Sequence, residues 1–147
     1  MAYGIVEQWH PAPNAVERKA LILDLSWQGG EKRLIATVWF ANKAGIDDEN
    51  ISAVILFEDV FAFKVFDENM ELSGVTEDDA VVSKSGFPWG GRWPYLEVHA
   101  SDWIRQLAEH DGAWKASEFR HLVITTESLH LHVACRKLSS PSYHFAD

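Results

Sequence analysis

Two histidines stand one residue apart in "LHLHVACR", at positions 130 and 132, and a third, His121, lies shortly upstream in "RHLVITTE". If both stretches are strands, His130 and His132 project from one side, and His121 on the paired strand lies diagonal to His132. Three neutral imidazoles with one open coordination position would make a hydrolytic zinc site. The plain alternative is a strand face that carries polar side chains. Spacing fixes no fourth ligand, so the expectation is no metal and no cofactor, with His121, His130 and His132 as the metal-ligand candidates should that fail.

A second constellation is "FPWGGRWP", where Trp89 and Trp93 flank Arg92 between glycines and prolines. Such rings stack on a sugar or an unpaired base. Against this stands ordinary burial at the end of a sheet, the usual fate of large aromatics. Acid pairs raise the question of calcium, but "DDENISAVILFE" lacks the loop glycine of an EF-hand and "DENMELSGVTED" has its glycine out of place. There is no G-x-S-x-G elbow, phosphate-binding loop or dinucleotide fingerprint. The one cysteine, Cys135, falls in register with Val133 and Leu131 and is expected in the core as inert packing. No catalytic constellation emerges, and a non-catalytic role is expected.

Charge carries the sharper signal. The 147 residues hold 13 basic and 22 acidic side chains, a net charge of −9, which repels phosphate backbones and anionic lipid, so neither nucleic acid nor a membrane is the expected partner. The imbalance is concentrated. Between Gly45 and Val82 there are eleven acids against one base, Lys64. A segment of this kind is either solvated loop or a surface for a basic protein. For the second case the candidate partner-binding residues are Asp47, Asp48, Glu58, Asp59, Asp67, Glu68, Asp78 and Asp79.

The elements that must position these residues can be read from period and punctuation. "ERKALILDLSWQGGEKRLIATVWFAN" reads as a hairpin; with Gly29-Gly30 as a two-residue turn, Leu25 faces Leu34, Leu23 faces Ala36 and Leu21 faces Val38. "ISAVILFEDVFAFKVFDE" exceeds one ordinary strand and should break at Glu58-Asp59, with Phe61, Phe63 and Val65 sharing a face afterwards. Tyr95 to His99 suits a short strand. Ser101 then fits a helix N-cap, Asp102 the first turn, Trp103, Ile104, Leu107 and Ala108 one stripe, and Gly112 the stop, which predicts a helix near residues 102–110. "RHLVITTESLHLHVACR" is a second hairpin turning near Glu127-Ser128, with Leu122 opposite Val133 and Ile124 opposite Leu131. The tail "KLSSPSYHFAD" is expected to be peripheral. The sum is one α+β domain over 1–147, mainly antiparallel sheet of about six strands with one clear helix. A single cysteine, no hydrophobic leader and no apolar run long enough to span a bilayer fit a cytoplasmic protein.

Three stretches in order, "FEDVFAFKVFDE", "WPYLEVHASDWIRQL" and "FRHLVITTESLHLHVAC", resemble small, mostly uncharacterised bacterial cytoplasmic proteins, some of them similar to immunity proteins of contact-dependent toxin systems. The resemblance covers about the last two thirds of the chain and implies a small acidic fold that plugs a toxin, often a basic nuclease. It transfers no site residue. The expected function is therefore a non-catalytic, acidic protein-binding module, of the immunity type. The alternatives are a carbohydrate-binding domain using Trp89 and Trp93 or a histidine-lined metal-dependent enzyme. Pairing of two copies through an exposed sheet edge is compatible with all three.

Overall fold

A computed structural model describes residues 5–9, 20–41, 47–67, 94–112, 115–126, 129–136 and 141–146. Within them the chain forms nine strands and one α-helix: β1 (Ile5–Gln8), β2 (Ala20–Gln28), β3 (Arg33–Ala41), β4 (Asp47–Phe57), β5 (Val60–Asp67), β6 (Tyr95–His99), α1 (Asp102–Asp111), β7 (Phe119–Thr125), β8 (Leu129–Arg136) and β9 (Ser142–Ala146). All pairings are antiparallel, and they build two sheets, β1-β6-β7-β8-β5 and β2-β3-β4-β9. The fold is α+β and mostly antiparallel, as the periodicity implies, with more strands than the expected six.

The two sheets bury one face each against the other. Leu34, Ala36, Val38 and Phe40 alternate along β3 and are fully buried, while Leu122, Ile124, Leu131 and Val133 supply the facing layer from β7 and β8. Period two along each strand makes this possible, since every second side chain reaches the same face. Cys135 belongs to that layer, and burial pushes its thiol up to about 11, so it packs as a small apolar group.

Several expectations need correction. The first hairpin is shifted by two residues: Leu25 pairs with Ala36 and Leu23 with Val38, because Gln28 pairs with Arg33 and leaves a loop built on a 3₁₀ turn at Gly29–Glu31 with Lys32 left-handed. A shift of two preserves the faces, so the apolar side stays inward. Between β4 and β5 the break at Glu58-Asp59 is present, with Asp59 at φ +50°, and there the chain passes from one sheet to the other. A register irregularity follows at once, between Val60 and Ala62, and it turns Phe61 away from Phe63. Phe61 stacks on Phe119 under the helix, whereas Phe63 packs on the inter-sheet core, so Phe61, Phe63 and Val65 do not share a face. The tail holds a strand that the sequence did not signal: residues 142–146 pair with β4 at the edge of its sheet, and the half-buried Tyr143 meets Tyr95 edge-on. β1 was not expected either; four residues are too few to show a period.

The outer face of the β1-β6-β7-β8-β5 sheet carries α1. Its Ser101 side chain accepts the N–H of Ile104 at 3.2 Å, and Gly112, left-handed at φ +76°, closes it. Ile104, with Trp103 and Leu107, packs over Phe61, Ala62, Phe119 and Ala134. Burial of such side chains contributes roughly 1.5–3 kcal/mol each and fixes the helix over the strands that carry the histidines.

Candidate functional site

Beneath α1 lies a chain of polar side chains. Ser101 Oγ and His121 Nδ1 are 2.7 Å apart, and His121 Nε2 and His132 Nδ1 are 2.8 Å apart. Ser101 comes from the helix cap, His121 from β7 and His132 from β8. The register of that hairpin, with His121 opposite Ala134 and Val123 opposite His132, makes the two imidazoles diagonal neighbours, as their spacing implies. Trp103 stands edge-on to both rings, at 4.9 and 6.3 Å between centroids. Lys64 arrives from β5, opposite His132, and its ammonium lies 4.5 Å from the Trp103 ring and 5.4 Å from Phe66.

The electrostatics follow from this packing. Burial first, and the Lys64 ammonium second, push His121 down to about 3. Burial, then His121, Lys64 and His130, push His132 down to about 2. Both rings are neutral at physiological pH. Burial lowers Lys64 as well.

The proton order in the chain can be argued from what each order leaves unpaired. If Ser101 donates to His121 and His121 to His132, then His132 Nε2 must carry a buried N–H, and it has no hydrogen-bond partner among the described residues. In the reverse order only a lone pair is buried there, and the Ser101 hydroxyl proton turns toward a cleft of about 410 Å³ that Ser101 and His121 help to line. Orphaned buried donors are the rarer of the two, so the reverse order is favoured. In that order the His121 nitrogen facing Ser101 already holds a proton. Together with a pKa far below neutrality, this leaves His121 unable to act as the general base for the serine, and the chain ties the helix cap to the sheet.

Nor do the histidines converge on an ion. His121 Nε2 and His132 Nδ1 face each other with a proton between them, and His130 stands further along β8, opposite Thr125 and Phe66. Among the described residues no group of three His, Cys, Asp or Glu is placed to hold a metal.

The acidic candidates are dispersed. Glu58 and Asp59 form the exposed corner between β4 and β5, where Glu58 accepts from Arg33 at 3.4 Å. Asp47 and Asp48 open β4 at its other end, eleven residues away from that corner and thus on the order of 30 Å distant. Asp67 closes β5. Glu68, Asp78, Asp79, Trp89, Arg92 and Trp93 lie outside the described residues. Sequence reasoning missed Lys64 and Trp103 as neighbours of the imidazoles. Nothing in the sequence signals that β5 pairs with β8 across the long stretch between them.

Comparison with known proteins returns nothing: no family model, no curated protein and no solved structure matches the chain. Among the described residues no helix is long and apolar enough to cross a membrane.

Proposed function

We propose that this chain is a non-catalytic, acidic module that binds a basic protein, in the manner of the immunity-type inhibitors its sequence resembles, and that it does so in the cytoplasm. One observation carries the reading. The segment from 45 to 82 holds eleven carboxylates and one ammonium, and that ammonium, Lys64, is drawn onto the Trp103 ring beneath the helix. It is therefore engaged under the helix and away from Glu58 and Asp59, which are exposed at the corner between β4 and β5. An excess of negative charge of this size within one segment is a cost that a basic partner relieves.

The test is capture from the native host at low salt, followed by neutralisation of the acids in pairs to asparagine or glutamine: Asp47 with Asp48, Glu58 with Asp59, Asp67 with Glu68, Asp78 with Asp79. The reading expects a basic protein to be retained and then lost as pairs are removed, at unchanged thermal stability. Retention through all four pairs, or an empty capture, ends it.

A further inference from the structure

Among the described residues β2 and β5 are edge strands of their respective sheets, and their side chains meet on one flank of the sandwich at Trp27 and Phe63. The Trp27 indole packs on Phe63 with ring centroids 5.2 Å apart and remains 44% exposed, while Val65, two residues beyond Phe63, is 38% exposed. Phe63 and Leu25 form the floor against the inter-sheet core. A Cβ at Gly29 would stand 3.1 Å from Trp27 Nε1, so glycine at that turn leaves the indole room to lie where it does. Single exposed apolar residues are ordinary. An accessible tryptophan over a half-covered phenylalanine, with an exposed valine along the same edge, has instead the make-up of an interface anchor.

Charge indicates what covers it. At −9 a second copy is repelled, which argues against self-pairing. Acids stand at both ends of β5 along the chain: Glu58, which pairs with Arg33 at 3.4 Å, and Asp59 precede it, and Asp67 is its last residue, about 25 Å further along the strand. The one base of β5, Lys64, lies on the other face against Trp103. We infer that an extended, basic segment of the partner adds along the edge of β5, with apolar side chains against Trp27, Phe63 and Val65 and its lysines or arginines at the acidic ends. This rests on the acidic-module reading above and names where the partner sits.

The probe is a synthetic peptide as long as β5 with two lysines at each end and valine alternating with threonine between them, titrated into the full chain labelled with 5-fluorotryptophan; Trp27→Phe identifies the Trp27 signal. The expected result is a salt-sensitive shift of that signal, with the β5 amides gaining protection from exchange. Val65→Glu should weaken the peptide by about tenfold. That variant adds a negative charge, so attraction by charge alone would tighten binding; unchanged or tighter binding overturns the slot. A matching peptide with glutamate for lysine should leave Trp27 still, and an equal shift with it overturns the inference. A peptide that binds, and is released by neutralising the acid pairs, while Trp27 stays silent overturns the slot and leaves the acidic reading standing. No binding at low salt overturns the slot, and an empty native capture beside it overturns both. A Trp27 signal that moves with protein concentration alone, together with a dimer in sedimentation, makes the occupant a second copy and overturns the inference.

Discussion

His132 is fully buried with one ring nitrogen bonded and the other without a partner among the described residues, and its behaviour with pH follows from that position. In the unfolded chain His121 and His132 take up protons near pH 6.5; in the fold they resist to about 3 and about 2. The unfolded state therefore binds more protons below 6.5, and the stability that is complete above that pH is lost as pH falls toward 3. The loss exceeds about 1 kcal/mol per histidine for each pH unit. Urea midpoints measured from pH 7.5 to 4.5 should fall steeply below 6.5. His132→Gln should flatten that slope while lowering the midpoint at neutral pH; an unaltered slope would refute the neutral pair. Nitrogen chemical shifts should place the proton of both rings on Nδ1, and a proton on Nε2 of His132 would reverse the order argued for the chain. Ser101→Ala removes both the cap of α1 and the partner of His121, and should cost about 2–4 kcal/mol in denaturant unfolding, against about 1 for a cap alone.

Among the elements, α1 shows how far local chemistry reaches. Ser101, the stripe from Trp103 to Ala108, and Gly112 specify a start, a face and a stop within a few residues of one another, and the helix forms at Asp102–Asp111 as those signals imply. The last hairpin is equally legible: Leu122, Ile124, Leu131 and Val133 all face the core, and the expected pairs Leu122 with Val133 and Ile124 with Leu131 are the ones that form. The first hairpin allows two registers that bury the same face, and turn geometry decides between them. β9 reads as loop because its pairing with β4 involves residues some ninety positions apart. Two substitutions probe the turns around α1. Gly112 and Ala100 are both left-handed, at φ +76° and +53°. Gly112→Ala should lose about 1 kcal/mol and Ala100→Gly should be neutral or gain up to about 1, since the strain of a Cβ in that conformation is added in one and removed in the other. Equal effects of both substitutions in thermal unfolding would mean that the backbone at these turns is not held as described.

For the whole molecule, two sheets and one helix set the chain of Ser101, His121 and His132 beneath α1, with the two imidazoles neutral and bonded to each other. Among the described residues, the features that remain outward include the corner acids Glu58 and Asp59 and the apolar flank at Trp27 and Val65. The histidine candidates were legible in the spacing of β7 and β8; their fate was not, because it depends on Lys64 and Trp103, which other elements bring in. The acidic account is tested most directly by the association rate with the partner captured from the native host. Salt shortens the screening length from about 10 Å at 0.1 M to about 3 Å at 1 M, so stopped-flow rates should fall by about tenfold or more across that range while dissociation changes little. Neutralising all four acid pairs should bring the low-salt rate down to the high-salt value. A rate flat in salt, or a neutralised variant that associates as fast as the native chain, would contradict the account.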